Sequence, residues 1–197
     1  MKNPFETGYY CEQDLKEIGF KSIGKNVRIA RNCTIMGLEN ISIGNNVIID
    51  AYCTIVAVKE GFLDVGSYVH IGGYCLLSAG DGIVFHDFSG LSQGVKVYSR
   101  TDDYSGNFLT NPTVPEQYIG LKRGLVEIMP YVVVGAQSVI LPGVNIGEGS
   151  SVGALTLVSR SLPEWGIFLG NPLRRIGDRS KDLLKFRNQL LGSHKGL

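Results

Sequence analysis

The sequence has almost no net charge and no long hydrophobic run. It carries 19 Lys and Arg against 18 Asp and Glu over 197 residues. Such a balance lacks the basic surface that non-specific nucleic-acid or membrane-surface binders need. No apolar run approaches the roughly 20 residues that cross a bilayer, and Met1–Cys11 contains no apolar core of a signal peptide. We therefore expect a cytoplasmic protein with no nucleic-acid partner and no membrane insertion.

Cysteine is also scarce. Four cysteines in a chain of this length do not predict a disulfide framework. None of them forms a CxxC or Cys/His pair of the kind that holds zinc. Cys33, Cys53 and Cys75 instead share one position of the repeat described below, where a small apolar side chain fits. We expect these three thiols to be buried and reduced, and we expect no metal site.

Glycine and branched aliphatic residues, by contrast, are abundant and regularly spaced. The chain has 26 glycines and is 44% hydrophobic. A large apolar residue recurs every six positions, with a few places where the spacing is longer. The set is Ile23, Ile29, Ile35, Ile43, Ile49, Ile55, Val65, Ile71, Leu77, Phe85, Leu91, Val97, Ile128, Val134, Ile140, Ile146, Val152 and Val158. The next position is often glycine, and the fourth position after it is small or apolar.

A period of six fits neither an amphipathic helix nor a hairpin strand. It fits a triangular solenoid in which each hexapeptide is one short strand and one corner, and three hexapeptides make a coil. Successive coils pair through parallel ladders about 4.8 Å apart. The pattern predicts an all-β chain, a parallel β-helix of about six coils over residues 23–176.

Three segments fall outside the repeat. Residues 1–22 form an N-terminal capping segment, with a short helix over 11–19. Residues 98–125 interrupt the coils and are too apolar for a disordered linker, which predicts one long protruding arm against a neighbouring subunit. Residues 177–197 form a C-terminal helix and tail, with the helix over 180–191 and Ser180 as its N-cap.

The stretch 126–176 resembles the hexapeptide-repeat acyltransferase family, above all in VGAQSVILPGVNIGEGSSVGA and LGNPLRRI. The arm segment YSRTDDYSGNFLTNPTVP is similar to a subgroup among surface-polysaccharide and nucleotide-sugar acetyltransferases. The resemblance implies a left-handed coil, although crossovers between parallel strands are normally right-handed. It also implies a homotrimer that binds acetyl-CoA in a groove between adjacent solenoids. The γ-class carbonic anhydrases share the fold, but His70, His86 and His194 lack their zinc-site spacing.

The same resemblance implies the residues of the acetyl-CoA groove. Small residues would let the pantetheine arm approach the backbone, Asn171 and Pro172 would flank the adenine, and arginines, including Arg179, would meet the phosphates. Many sugar acetyltransferases carry Trp at the position of Val133, and this chain does not. The implied set is Gly135, Ala136, Gly153, Ala154, Ser159, Arg160, Asn171, Pro172, Arg174 and Arg175.

The catalytic base has three candidates. The galactoside-type enzymes use a histidine early in the arm, and alignment puts Asp102 near that position. Asp102 and Asp103 are adjacent carboxylates, and desolvation would raise the pKa of one of them. His70 occupies an outward column with Arg28, Ile48, Gly90, Val133 and Ser151, on the face of the predicted groove. His86, at a corner where glycine is usual, is a weaker candidate. An amino-sugar acceptor also has a fourth route, since its own amine is nucleophilic once deprotonated.

Three functions remain open from the sequence. The first is an acetyl-CoA-dependent O-acetyltransferase acting on a sugar or polysaccharide precursor. The second keeps the donor and transfers to the amine of a nucleotide-linked amino sugar. The third is a non-catalytic trimeric scaffold. For either enzyme, Ser99, Tyr104, Asn107 and Asn111 of the arm are expected to bind the sugar, nucleotide-sugar or glycan acceptor.

Overall fold

The computed structural model of the protein describes residues 6–193. Its first eleven strands are β1 (Ser22–Ile23), β2 (Arg28–Ile29), β3 (Thr34–Met36), β4 (Ile41–Ile43), β5 (Ile48–Ile49), β6 (Thr54–Val56), β7 (Leu63–Val65), β8 (His70–Ile71), β9 (Leu76–Ser78), β10 (Ile83–Phe85) and β11 (Gly90–Leu91). The other eleven are β12 (Lys96–Tyr98), β13 (Arg100–Asp102), β14 (Leu121–Arg123), β15 (Val126–Ile128), β16 (Val133–Val134), β17 (Val139–Ile140), β18 (Asn145–Ile146), β19 (Ser151–Val152), β20 (Leu157–Val158), β21 (Gly166–Leu169) and β22 (Arg174–Asp178). The helices are α1 (Glu12–Glu17) and α2 (Leu183–Ser193), and Leu38–Asn40 and Glu116–Tyr118 are 3₁₀ turns.

The strands form the three faces of a parallel β-helix. Face 1 is β1-β4-β7-β10-β15-β18, and face 3 is β3-β6-β9-β12-β17-β20. Face 2 runs β2-β5-β8-β11-β16-β19-β21 in parallel and is closed by antiparallel β22. The predicted parallel β-helix is therefore confirmed, and its left hand stays a prediction from the resemblance. Face 2 has a seventh rung beyond the predicted six, because Phe168 on β21 follows Val158 by ten residues and escapes the period of six.

The repeat residues fill the interior as their spacing predicts. Ile49, Ile71, Val134 and their counterparts on the other faces are almost completely buried. Ile23 and Ile35 in the first coil are only partly buried, since this coil lies at the open end. The helix α1 covers that end with Leu15, which is fully buried. The predicted N-terminal capping helix is confirmed.

The corners between faces are named here by the faces they join. Corner 1–2 comprises residues 24–27, 44–47, 66–69, 86–89, 129–132, 147–150 and 163–165. Corner 2–3 comprises residues 30–33, 50–53, 72–75, 92–95, 135–138 and 153–156. Corner 3–1 is the place from which the arm, residues 98–125, leaves between β12 and β15. Each corner thus presents one stacked set of side chains along the length of the solenoid.

The three stacked cysteines lie at equivalent positions of corner 2–3 in three successive coils. Cys53 and Cys75 are buried and Cys33 is partly buried, and all are free thiols. Each Sγ donates to a carbonyl oxygen of the next coil: Cys33 to Asp50 at 3.1 Å, Cys53 to Gly72 at 3.2 Å and Cys75 to Ser92 at 3.3 Å. The predicted burial is therefore confirmed for Cys53 and Cys75 and holds only in part for Cys33.

An aromatic ladder follows corner 1–2. Tyr68, Phe88, Tyr131 and Trp165 stack in sequence with ring centroids 4.7, 5.6 and 6.4 Å apart. All four residues have positive φ angles. Gly149, between Tyr131 and Trp165, has no side chain, so the indole ring folds over its Cα. Lys181 stands 5.0 Å above the Trp165 ring.

The C-terminal helix starts later than predicted. Ser180 is not its N-cap: its hydroxyl accepts from the amide of Asp182 at 3.1 Å in a turn, and α2 begins at Leu183. The helix lies beside the aromatic ladder, where Arg187 Nε donates to the hydroxyl of Tyr131 at 2.9 Å. A cleft of about 440 Å³ separates the helix from Phe88 and Tyr131. No helix among residues 6–193 is long and apolar enough to cross a membrane.

Candidate functional site

The structure gathers six of the predicted cofactor residues along corner 2–3. Gly135 and Ala136 follow β16, and Gly153 and Ala154 follow β19 one coil later. The turn with Asn171 and Pro172 follows β21 in the next coil and is tied to this corner, because the amide of Gly170 donates to Thr156 Oγ1 at 3.0 Å. The predicted groove wall is therefore continuous over three rungs.

The glycines of this wall are required by the packing of coils. A Cβ on Gly135 would lie 2.4 Å from the backbone nitrogen of Ala154, and one on Gly153 would lie 2.3 Å from a methyl of Leu169. A Cβ on Gly24 or Gly44 at corner 1–2 would likewise meet backbone atoms of the next coil, at 2.4 or 2.8 Å. The glycines by themselves therefore carry no information about a ligand.

The two corners differ in how many of their backbone amides are paired. At corner 1–2, the amides of Lys25, Asn45 and Ser67 donate to side-chain oxygens of the following coil at 2.7–3.0 Å. The amides of Asp87 and Glu148 at corner 1–2 have no hydrogen-bond partner within residues 6–193. At corner 2–3 the amide of Arg31 donates to the Gly8 carbonyl, whereas five equivalent amides of the later coils have no partner within the same residues. They belong to Ala51, Gly73, Gln93, Ala136 and Ala154. A row of free N–H donors fits an extended ligand with amide carbonyls, such as a pantetheine arm.

Ser159 and Arg160 do not continue this wall. They follow β20 and lie at corner 3–1, at the opposite end of face 3 from Ala154. Both are exposed. Within one protomer β20 separates them from this wall. Their place in a groove between two adjacent solenoids stays a prediction.

The C-terminal arginines have different roles. Arg174 and Arg175 lie on β22, paired with Leu169 and Phe168 at the edge of face 2. Arg175 donates to Asp178 at 2.6 Å and remains half-exposed, and Arg174 is exposed as well. Both arginines are therefore accessible to an anion beside the Asn171–Pro172 turn. Arg179 is not accessible in this way. Its Nη1 donates to the carbonyl oxygens of Tyr131 and Gly149 at 2.6 and 3.0 Å, and burial lowers its pKa.

His70 lies on face 2, in the predicted column. Its neighbours in register are Ile48 and Gly90, with Val133 one rung further. Its Nε2 is 2.8 Å from Asp50 Oδ2, and the other carboxylate oxygen of Asp50 accepts from the Tyr9 hydroxyl at 2.9 Å. The imidazole is therefore half-exposed and oriented by a carboxylate. Sequence reasoning missed Asp50, whose position one coil earlier is apparent only when the coils are stacked.

The root of the arm is an antiparallel hairpin. The strand β13 pairs with β14, with Arg100 opposite Arg123 and Asp102 opposite Leu121. Arg100 donates from Nε to Asp81 Oδ2 at 2.6 Å and from Nη2 to the Gly80 carbonyl at 2.8 Å. The Asp102 carboxylate accepts from the amide of Asn111 at 3.4 Å. Asp102 therefore sits on a strand that is clamped to the solenoid.

Asp103 does not have the raised pKa that a base would need. The hydroxyl of Ser105 donates to its carboxylate and holds the pKa of Asp103 below its usual value. The sequence predicted that desolvation raises the pKa of one of the two carboxylates, and for Asp103 this prediction is wrong. The hydrogen bond from Ser105 therefore makes Asp103 a weaker base than an ordinary aspartate.

Of the four residues predicted to bind the sugar acceptor, one is buried and three are exposed. Ser99 is completely buried, and its hydroxyl donates to the Ser78 carbonyl at 3.1 Å and accepts from the Asp81 amide at 2.9 Å. Its prediction as a sugar ligand is therefore wrong. Tyr104, Asn107 and Asn111 are exposed on the arm. The side-chain oxygen Oδ1 of Asn111 already accepts from the amide and the hydroxyl of Thr113.

The remaining histidines add little. The buried Nε2 of His86 has no hydrogen-bond partner among residues 6–193 and lies 4.0 Å from a carboxylate oxygen of Glu127. His194 lies outside the described residues. No group of three or more metal-ligating side chains converges within the described part of the chain.

The candidate residues lie on two sides of one protomer. His70 and the amide row belong to face 2 and corner 2–3, whereas Asp102 belongs to the arm at corner 3–1. Ser92, which sequence reasoning passed over, lies at corner 2–3 in the rung just before Gly135. A site that uses both sides needs a second copy of the chain, with corner 2–3 of one protomer facing the arm of another.

The fold is that of the sugar acyltransferases, and the chain belongs to the hexapeptide-repeat sugar acyltransferase family. It is 38% identical over 180 residues to a dTDP-4-amino-4,6-dideoxy-D-glucose acyltransferase of Escherichia coli, covering 91% of this chain and 93% of that protein. None of the protein-family models searched matches the chain.

Solved structures agree with this assignment. A variant of AntD, an N-acyltransferase from Bacillus cereus in complex with dTDP and coenzyme A, is 42% identical with a TM-score of 0.91, covering 96% of this chain and 99% of that one. AntD with dTDP and 3-hydroxybutyryl-CoA gives 41% identity and a TM-score of 0.92, with 96% and 100% covered. A maltose O-acetyltransferase from Clostridium difficile, at 22% identity, TM-score 0.55 and coverage of 86% and 75%, shares the fold.

Proposed function

We propose that this protein transfers an acetyl group from acetyl-CoA to the amine of a dTDP-linked amino sugar. The observation that carries the proposal is the full-length similarity to two enzymes of that class, the E. coli acyltransferase and AntD. An AntD variant binds dTDP-4-amino-4,6-dideoxyglucose together with coenzyme A. This second hypothesis from the sequence therefore has more support than O-acetylation of a polysaccharide precursor, since the maltose O-acetyltransferase shares only the fold.

In the proposed reaction the neutral sugar amine attacks the thioester carbonyl. A C–N bond forms, the C–S bond breaks, the amine proton passes to a base, and coenzyme A leaves as the thiol or thiolate. The free amides of corner 2–3 would hold the pantetheine arm in line, and Arg174 and Arg175 would meet its phosphates. The acceptor must then lie further towards the N-terminal coils of the same corner, at Ser92 and Gly94.

We assign Asp102 as the residue that receives the amine proton, with Ser92 beside the reacting carbonyl. Solved AntD variants replace one serine and one aspartate ten positions later. Ser92 and Asp102 are the only serine and aspartate with that spacing in this chain. Asp102 also lies on a strand that Arg100 fastens to the solenoid. His70, by contrast, lies two rungs from Val133, which faces the predicted acetyl-CoA groove. His70 is kept as the second candidate because Asp50 orients its ring.

We further propose a homotrimer with one site at each contact between protomers. Ser92 and Asp102 lie at opposite ends of β12 in one chain, so a shared site brings together residues of two copies. The arm supports this arrangement, since Tyr104, Phe108, Leu109 and Tyr118 are exposed apolar side chains on it. Burial of such a patch against a second copy is a usual basis of association.

Thiol release from acetyl-CoA tests the reaction. The acceptors are dTDP-4-amino-4,6-dideoxyglucose, its 4-hydroxy counterpart and maltose, each with the purified protein. We expect release with the amino sugar alone and an acetylated product in the mass spectrum. Release with the hydroxyl acceptors alone would favour the O-acetyltransferase. Faster turnover of 3-hydroxybutyryl-CoA than of acetyl-CoA would assign the longer donor, and no release with any donor would support the scaffold hypothesis.

A further inference from the structure

Two tyrosines stack on the outside of corner 2–3, in the coils before Ser92. The rings of Tyr52 and Tyr74 are 4.9 Å apart and 20° from parallel. Both residues have a φ of 62°, a left-handed conformation that bulky side chains rarely adopt. Their exposed fractions are 54% and 64%. The chain thus places two large aromatic rings in solvent at backbone positions that favour Asn or Gly.

Packing within the protomer accounts for aromatic residues at the other corner but not here. Tyr131 and Trp165 of the ladder on corner 1–2 are only 9% and 7% exposed. Arg187 of α2 bonds to Tyr131, and Lys181 covers Trp165. No side chain of residues 6–193 stacks on the outer face of Tyr74. An exposed aromatic face beside a candidate groove is suited to stacking with a planar ligand.

The next rung of corner 2–3 leaves a slot above Tyr74. Gly94 occupies the equivalent backbone position, with a φ of 71°, and has no side chain there. The side-chain amide of Gln137, one rung further, folds down over it, so that a Cβ on Gly94 would lie 2.3 Å from Gln137 Nε2. Neither the donor nor the acceptor of this amide is paired within residues 6–193. The slot therefore has an aromatic floor and a free amide at its inner edge.

We infer that the pyrimidine base of the nucleotide-linked acceptor occupies this slot, stacked on Tyr74 with its imide edge at Gln137. The inference rests on the proposed function. A planar base at the level of Gly94 takes the place that an aromatic side chain takes in the ladder of corner 1–2. The Gln137 amide offers one donor and one acceptor, as does the N–H and C=O pair of a thymine or uracil edge.

The proposed site of the pyrimidine base and the predicted site of the donor's adenine lie at different ends of corner 2–3. AntD binds two nucleotides, dTDP and coenzyme A. The Asn171–Pro172 turn and the accessible arginines lie at the C-terminal end of corner 2–3, whereas Tyr52 and Tyr74 lie at its N-terminal end. The two nucleotides then approach the reacting centre at Ser92 from opposite ends of one groove.

The test measures binding of dTDP, ADP and coenzyme A by calorimetry to the full-length protein and to matched variants. Tyr74→Asn removes the ring at no backbone cost, because Asn26 and Asn46 adopt the same conformation at corner 1–2. Tyr68→Asn is the matched control, since Tyr68 has the same φ but lies at corner 1–2. Tyr74→Phe keeps the ring and Gln137→Ala removes the amide.

We expect Tyr74→Asn to weaken dTDP binding about tenfold or more, the usual scale of base stacking on an aromatic side chain. Gln137→Ala is expected to weaken it about fivefold, the scale of one net hydrogen bond. Tyr74→Phe and Tyr68→Asn should bind dTDP as the wild type does, and coenzyme A binding should not change. The KM for the amino sugar should rise in Tyr74→Asn while kcat stays near the wild-type value.

Three results would overturn the inference. The first is unchanged dTDP affinity in Tyr74→Asn. The second is a loss of ADP and coenzyme A binding with dTDP binding intact, which would assign the slot to the donor's adenine. The third is dissociation of the oligomer in light scattering, which would make the tyrosines a contact between protomers. A wild-type protein that neither binds dTDP nor acetylates the amino sugar would instead refute the proposed function.

Discussion

Arg100 and Asp81 form the clamp that fastens the arm to the solenoid. Arg100 Nε lies 2.6 Å from Asp81 Oδ2, its Nη2 lies 3.2 Å from Oδ1, and Arg123 of the paired strand approaches the same carboxylate at 3.6 Å. Asp102 stands two residues after Arg100 on β13. The position of the proposed proton acceptor therefore depends on an ion pair made in the preceding coil.

Replacing Asp81 by Asn should loosen this clamp. The change leaves the guanidinium of Arg100 without its anionic partner, and we expect a loss of about 1–3 kcal/mol in the free energy of unfolding. The arm should become easier to cleave with trypsin, and kcat should fall more than the affinity for acetyl-CoA. The matched control is Asp64→Asn, on the outer side of β7. Equal arm cleavage in both variants would show that the clamp does not hold the arm.

The same ion pair predicts a pH dependence of stability. The hydrogen bond from Arg100 holds the pKa of Asp81 below its usual value. Stabilisation from a lowered pKa is complete above about pH 4 and is lost as the pH falls through the folded-state pKa. The melting temperature of the wild type should therefore fall more steeply than that of Asp81→Asn as the pH drops below about 4. Parallel curves would contradict this contribution.

A shared site predicts complementation between inactive variants. We expect Ser92→Ala and Asp102→Asn each to lower kcat about 100-fold, the common scale of an acid–base contribution. If the two residues act from different protomers, mixed trimers refolded from both variants contain some intact sites. Random mixing restores roughly a quarter of wild-type activity, because three quarters of the trimers are mixed and each has one intact site in three.

Two further variants serve as controls for that experiment. Asp103→Asn should lower kcat less than Asp102→Asn, because Ser105 holds the Asp103 carboxylate as a weaker base. His70→Ala should keep most of the activity. A loss of about 100-fold in His70→Ala, with Asp102→Asn near the wild-type rate, would transfer the role of base to His70 and Asp50.

Glycine at the coil contacts should be essential for stability. A Cβ on Gly135 meets the backbone nitrogen of Ala154 at 2.4 Å, and backbone atoms in a ladder have little room to move. Gly135→Ala should destabilise the protein by about 1–3 kcal/mol. Gly192→Ala is the control, because nothing lies within 4 Å of its Cβ in α2, and it should be neutral or slightly stabilising. Thermal unfolding at one protomer concentration would compare them.

The cysteines should differ in reactivity. Hydrogen bonding to Cys53 and burial raise the pKa of Cys33, so its thiol stays protonated at neutral pH, whereas Cys11 is exposed. One thiol per protomer should react rapidly with a disulfide reagent at pH 8, and Cys11→Ser should abolish that phase. A rapid phase that survives in Cys11→Ser would show that the stacked cysteines are accessible.

The six-residue period by itself determined the β-helix, its interior column and the stacked cysteines. This was possible because each coil pairs with the next in constant register, so that local spacing defines the three-dimensional neighbours. The outward column of His70 and Val133 was predictable for the same reason. The break at residues 98–125 likewise marked the arm, since it has no repeat.

Only the tertiary structure decided which of the polar residues are available. Ser99 is buried in a hydrogen-bond pair with Ser78, while Asp102, three residues later, stands on the clamped hairpin. Arg179 binds main-chain carbonyls, and Tyr74 stays exposed although Tyr131, at a similar corner, is covered. These differences depend on contacts between segments far apart in the sequence, which the repeat does not encode. For the same reason, the groove where a base could stack and amides lie free became visible only in the folded chain.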